Sequence, residues 1–204
     1  MASLDQSLHR MKLDYVDLFY SHRYDPVTPL EETLQALVDI VKSGKALYVG
    51  ISRWPLAALK TAVSYLKQRD VPLLIYQGRL NMLDQAPVEE GITAFCQQEG
   101  VGFISFSPLA QGLLTDRYLN GIPEDSRMQR EKFLRREMLT DDLLRHLHQL
   151  NNEAAAQGQS LAEYALSWVL KHRGITSVLI GASSTKQLER NLMALKQRPA
   201  ASSH

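Results

Sequence analysis

The chain has 204 residues, 45% apolar and 22% charged, which is a folded globular composition with enough material for one buried core. Lys and Arg number 23 against 22 Asp and Glu, so a net charge of +1 gives no overall electrostatic reason to bind nucleic acid or an anionic membrane. The lone Cys96 excludes an internal disulfide and fits a reducing, cytoplasmic setting; its apolar neighbours in "GITAFCQQEG" make it a packed thiol rather than a nucleophile.

The chain opens on a helical stripe, Leu4, Leu8 and Met11. "LDYVDLFYSHRYDP" follows, a β-prone run over Tyr15–Ser21 that turns abruptly into His22, Arg23, Asp25 and Pro26. "PLEETLQALVDIVKSGK" has Leu30, Leu34, Leu37, Val38 and Val41 at helical spacing, acidic residues in its first turn and a stop at Gly44. Four more short apolar runs have the pattern of strands in a parallel sheet: Ala46–Ser52, Leu73–Gln77, Val101–Ser107 and Ser177–Gly181. Between them, one helix is predicted to begin at Pro55 and another to run from Pro87 to Gly100. Ser160 and Glu163 form a capping box for a helix that stops at Gly174, and "SSTKQLERNLMALKQ" is a helix leaving the last strand. "GIPEDSRMQREKFLRREM" is a solvated loop with a ragged helix, and the final residues, 198–204, are a disordered tail. No apolar run approaches the ~20 residues of a membrane span, and "MASLDQSLHRM" lacks the apolar stretch of a signal peptide.

The first four strands start about thirty residues apart, the length of a βαβ unit. Their endings agree: "YSHRYD", "GISRW", "YQGRLN", "SFSPLAQG" and "IGASST" all place hydroxyls, amides or charges at the carboxyl end. In parallel α/β folds the loops leaving those ends line one ligand-binding rim. His22 therefore belongs to a rim rather than to a sheet interior. Spacing alone leaves two architectures open, a doubly wound sheet or part of a closed (β/α)8 barrel. No G-x-G-x-x-G follows the first strand, which argues against a Rossmann site.

"LDYVDLFYSHR", "GKALYVGISRW", "SFSPLAQGLLT" and "VLIGASSTKQLERNLMAL" resemble consecutive motifs of the aldo-keto reductase superfamily, in family order and covering nearly the whole chain. The likeness is greatest to the branch holding bacterial glyceraldehyde-3-phosphate (methylglyoxal) reductases and potassium-channel β subunits. The resemblance implies an α/β fold, a partial (β/α)8 TIM barrel with about five of the eight strands, residues 1–197 being its C-terminal portion. It also implies NADPH as cofactor. His22 matches the family's catalytic histidine, which orients the substrate carbonyl. The family's aspartate, tyrosine and lysine match no residue of this chain, and neither Tyr20 nor Tyr24 stands in for the acid.

On the cofactor side, Ser52 matches the residue holding the nicotinamide carboxamide and Gln77 its amide partner. Arg53 stands where many members have asparagine. Phe106 takes the aromatic position under the nicotinamide, and Ser107, Leu109, Gln111 and Gly112 match the loop beneath the pyrophosphate. Gly181 ends the last strand. Ser183, Lys186, Gln187 and Asn191 match positions around the adenosine 2′-phosphate, where free helix N–H groups favour an anion. Arg190 departs from a frequent glutamate and adds a cation that favours NADPH over NADH.

Without the family, each of these residues has a plainer reading: His22 as a hydrogen-bonded rim histidine, Phe106 as core, "GASS" as a weak phosphate signal. Ser21, His22 and Asp25 are no hydrolase triad, because adjacent strand residues face opposite sides. His146 and His148 are too few for a metal site and are read as surface residues. Two functions are carried. The first is an NADPH-dependent carbonyl reductase acting on small aldehydes such as glyceraldehyde 3-phosphate or methylglyoxal, present as a truncated chain. The second is a non-catalytic NADP-binding or regulatory module. The partner in the first is a small carbonyl compound, with neither nucleic acid nor membrane. Open strand edges also imply a second copy or a completing polypeptide.

Overall fold

The computed structural model describes residues 2–119, 121 and 136–197; the tail at 198–204 and most of the Arg-rich stretch lie outside the described residues. Two compact units divide the chain, Met1–Gly78 with Pro87–Ile104, and Arg79–Ala86 with Ser105–His204. In chain order the first holds α1 (Ala2–Met11), β1 (Val16–Ser21), α2 (Leu30–Lys42), β2 (Ala46–Ser52), α3 (Leu56–Lys67) and β3 (Leu73–Arg79). Then come α4 (Ala86–Glu89), α5 (Ile92–Glu99) and β4 (Gly102–Phe106). The second continues with α6 (Asp141–Ala156), α7 (Leu161–Lys171), β5 (Ile175–Val178) and α8 (Thr185–Met193). The five strands make one parallel sheet in the order β1-β2-β3-β4-β5.

The strands fall where continuous apolar runs predict them, with one displacement. The last strand is Ile175–Val178 rather than Ser177–Gly181. Beyond Val178 the Leu179 amide still reaches the sheet, donating to the Ser105 carbonyl at 2.8 Å. The predicted helix from Pro87 to Gly100 is two pieces, because Gly91 sits at φ 76°, a left-handed conformation that interrupts a right-handed helix. Pro55 is the residue before α3 rather than its first turn. Sequence reasoning passed over α6, although Thr140 caps it by accepting from the Leu143 amide at 3.2 Å. The Ser160–Glu163 capping box is present, with the Ser160 amide donating to Glu163 Oε2 at 2.7 Å and the Glu163 amide to Ser160 Oγ at 3.3 Å.

In the first unit, residues paired in parallel register share a sheet face. The pairs Phe19↔Val49 and Ile51↔Tyr76 lie on the face that α1 and α2 cover, where Val49 and Ile51 are fully buried and Phe19 packs on Leu4, Leu8 and Ile40. The opposite face carries Leu18↔Tyr48, Tyr20↔Gly50 and Gly50↔Ile75. It is less covered: Leu18 and Tyr20 are half-buried and Tyr48 is 46% exposed. Gly50 is required there by close approach, since a Cβ would stand 2.7 Å from Tyr20 Cε1. Lys45 ties the turn before β2 to α1 through Asp5 at 2.6 Å. The second unit builds its own core from Leu114, Leu147, Leu150, Leu161 and Ala165.

Gly78 has less latitude than Gly50. A Cβ at Gly78 would lie 2.5 Å from Cζ of Phe103, which is fully buried and stacked on Tyr76 at 5.5 Å. Gly78→Ala is expected to destabilise by about 1–3 kcal/mol in urea unfolding. Gly50→Ala should lose less, because the half-buried Tyr20 ring can turn aside and the remaining close contact, Ile75 Cγ2 at 2.9 Å, is longer than the one at Gly78.

Candidate functional site

The polar cluster after β1 divides into two parts with different duties. Asp25 builds the turn: its Oδ1 accepts from the Val27 amide at 2.9 Å and its Oδ2 from the Thr28 hydroxyl at 2.7 Å. Those bonds, the Thr28 one foremost, hold the Asp25 carboxyl below the usual carboxylate range. His22 is exposed, directly after the last residue of β1.

Register pairs two of the predicted residues, Ser52 and Gln77. The β1–β2 pairing ends at Ser21↔Ile51, and His22 and Ser52 are the residues that follow that last pair. Ser52 is 2% exposed, and its hydroxyl donates to the Gln77 carbonyl at 3.0 Å. The Arg53 amide donates to the same carbonyl at 3.1 Å. Among the described residues, the Gln77 side-chain amide has no hydrogen-bond partner. The pairing of Ser52 with Gln77 depends on a β-bulge: Val49 pairs with Leu73 but Gly50 with Ile75, leaving Leu74 as the extra residue. Bulges of this kind re-aim side chains and are over-represented beside functional sites.

Arg53 is exposed at φ 58°. That left-handed conformation is one asparagine adopts more readily than arginine. The buried Trp54 follows, its ring edge-to-face with Tyr24 at 5.6 Å, and its carbonyl accepts from the Tyr76 hydroxyl at 2.8 Å. This support beneath Ser52 and Arg53 was not legible, because the letters of a motif do not show that the Tyr76 hydroxyl reaches the Trp54 carbonyl.

In the second unit the residues fall into two groups. Phe106 is half-buried and ends β4, and the 107–112 segment leaves it through three non-glycine left-handed residues, Ser107 (φ 53°), Ala110 (φ 46°) and Gln111 (φ 61°). Leu109 packs on the Leu114–Leu147 core, and its carbonyl accepts from the Gly112 amide at 2.8 Å. Asn81 donates from Nδ2 to the Ser107 carbonyl at 3.0 Å. Sequence reasoning missed Asn81; its signal was an Asn just past a strand with Asp84 three residues on, the composition of an Asx turn.

The second group surrounds α8, where the start of the helix differs from expectation. The Ser183 amide and hydroxyl both donate to Gln187 Oε1, at 2.8 and 3.0 Å, and the Gln187 amide donates to Ser184 Oγ at 3.2 Å. Ser183 and Gln187 thus satisfy each other, and the helix end is capped by the protein rather than left with all its donors free. Gly181, Lys186 and Arg190 are exposed. Asn191 is only 5% exposed, and its Nδ2 has no partner among the described residues, an unsatisfied buried donor that calls for an acceptor.

A family model described as the aldo/keto reductase family matches residues 1–202. The chain belongs to the aldo/keto reductase family. It is 53% identical over 199 residues to the L-glyceraldehyde 3-phosphate reductases of Escherichia coli O157:H7 and Escherichia coli strain K12. Each of these alignments covers 96% of this chain but 58% of the relative. Among solved structures, a thermostable aldo-keto reductase, Tm1743, crystallised with the inhibitor epalrestat, matches with a TM-score of 0.71 and 26% identity, covering 98% of this chain and 61% of that one. This aldo/keto reductase chain therefore spans less than two thirds of the length of these relatives. Its parallel sheet and surrounding helices are consistent with part of such a barrel. Among the described residues, no helix is long and apolar enough to cross a membrane.

Burial raises the Tyr76 hydroxyl well above its ordinary value and pushes the Cys96 thiol up to about 12. Both groups stay protonated in the folded chain at pH values where the unfolded chain loses their protons. Unfolding then releases protons, so stability is complete below about pH 9 and falls as pH rises beyond it. Urea midpoints from pH 7 to 10.5 should show this decline. Native Cys96 should resist iodoacetamide at pH 8.5 and react once the chain is unfolded.

Proposed function

We propose that this chain is the NADPH-binding portion of a cytoplasmic carbonyl reductase acting on small aldehydes, L-glyceraldehyde 3-phosphate among them. The observation that carries the reading is the pairing of Ser52 with Gln77 at the strand ends, with His22 directly after the last β1–β2 pair and the Gln77 amide uncommitted among the described residues. Such a pairing fits a planar ring carrying a carboxamide. Ser52 and Gln77 would hold the nicotinamide carboxamide; in the second unit, Phe106 is the residue the family resemblance matches to the aromatic support. Residues 107–112 would run beneath the diphosphate. The orphaned Asn191 donor fits the adenosine end, with Lys186 and Arg190 as cations for the 2′-phosphate. NADPH, when bound, supplies hydride to a carbonyl carbon. His22 orients the carbonyl oxygen from its place beyond β1 and favours proton delivery to it.

A second reading is binding without turnover. It rests on the family resemblance, which matches one of the four catalytic groups, the histidine, to a residue among these 204. Members of a catalytic constellation act as a unit, and losing some commonly reduces the rate by orders of magnitude.

NADPH fluorescence and NADPH oxidation separate these outcomes. Binding with turnover of L-glyceraldehyde 3-phosphate or methylglyoxal supports the reductase, binding alone supports the second reading, and no binding defeats both. Gln77→Ala should weaken NADPH about tenfold, as expected for one or two lost hydrogen bonds. NADH should bind less tightly than NADPH.

A further inference from the structure

We propose that Asn81 is a positioning residue for the cofactor, holding the 107–112 segment in the one backbone form that receives a diphosphate. This rests on the assignment of that segment to the diphosphate in the preceding section. Three L-residues with side chains occupy the left-handed region within five positions, Ser107, Ala110 and Gln111. A conformation so disfavoured persists only where its surroundings over-determine it, and such segments cluster at ligand clamps.

Two bonds fix the first of these residues. The Ser107 carbonyl accepts from the Ala110 amide at 2.9 Å, a contact internal to the segment, and from Asn81 Nδ2 at 3.0 Å, a contact from outside it. Asn81 is well anchored for this task. It is 2% exposed, its amide donates to the Asp84 carbonyl at 3.0 Å, and its own carbonyl accepts from the Asp84 amide at 3.1 Å. Its Oδ1 accepts from the Leu83 amide at 2.9 Å. Arg79 pairs with Asp84 at 2.5 Å, closing the loop from its far side. The side-chain acceptor of Asn81 is thus used within its own turn, and its donor is directed at Ser107.

Removing that donor leaves the Ser107 carbonyl with the internal bond alone, and the segment can relax to ordinary backbone angles. Ligand must then select the competent form from a mixture, so apparent affinity falls in proportion to the fraction that remains. The loss is specific to ligands that use the segment. A neighbouring tie supplies the control: the Ser105 hydroxyl donates to the Leu80 carbonyl at 2.8 Å, fastening the same loop to β4 without touching Ser107.

The test uses the full chain and two probes, NADPH and adenosine 2′,5′-bisphosphate, which lacks the diphosphate bridge. Asn81→Ser is expected to raise the NADPH dissociation constant about tenfold, corresponding to about a tenth of the chain remaining competent, with adenosine 2′,5′-bisphosphate within twofold of the unsubstituted chain. Ser105→Ala should lower the melting temperature while leaving NADPH within twofold. Unchanged NADPH affinity in Asn81→Ser, equal weakening of both probes, or equal weakening by Ser105→Ala would each overturn the positioning role. Failure of the unsubstituted chain to bind NADPH removes the functional reading and this role together, and is distinguished by appearing before any substitution. If Asn81→Ser does not fold, Asn81→Thr, which keeps a hydroxyl acceptor for the Leu83 amide, is read by the same ratio of the two probes.

Discussion

One oxygen atom organises the first unit's candidate site. The Gln77 carbonyl accepts both the Ser52 hydroxyl and the Arg53 amide, joining β2 to β3 where the sheet gives way to loops. Parallel ladders are slanted and easily fray at their ends. Here the last pair is extended past the strand by a side chain and by a backbone amide from a left-handed residue. The pairing of Ser52 with Gln77 is fastened by that closure. Trp54 and Tyr76, which flank it in sequence, are buried, and a hydrogen bond in a lower-dielectric setting is stronger than the same bond in water.

The second unit solves a similar problem by different means. The segment after β4 has no regular ladder to hold it, so its carbonyls are taken up individually. Ser107 is served from the loop after β3, and Leu109 from within, by Gly112 and Leu114. At α8, Ser183 and Gln187 fix each other instead of waiting for an anion. Charge along α8 is carried by Lys186 in its first turn and Arg190 in its last, both exposed, and hydrogen-bonding hunger by the buried Asn191 amide. Shape and charge are thus assigned to separate residues.

The sheet was legible in the sequence because strands of a parallel sheet are short and almost continuously apolar, and Ala46–Ser52 was placed to the residue. The edge strand was not, since β5 pairs on one side only and its ladder ends before its apolar run does. Gly91 falls inside the predicted Pro87–Gly100 helix; its positive φ shows that it divides two helices. On the site, family motifs pointed to Ser52 and Gln77, which the register sets opposite each other in neighbouring strands. They could not supply Asn81, because its action is a single bond to a residue 26 positions away. Nor could they show that Ser183 and Gln187 are occupied with each other, since a motif records which residues are present and not which donors they have already used.

The extra residue at Leu74 shifts the phase of everything after it in β3. Were Leu74 paired in the ladder instead of bulged out, Ser52 would stand beside Tyr76, and an aromatic residue would occupy the place the amide now holds. Losing Leu74 itself would leave a regular ladder with Ser52 still opposite Gln77, whereas one further inserted residue between Leu73 and Gln77 would shift the pairing. Comparing chains of this kind by aligned letters alone would miss the distinction, because a gap placed one column away from Leu74 describes the same sequence and a different surface.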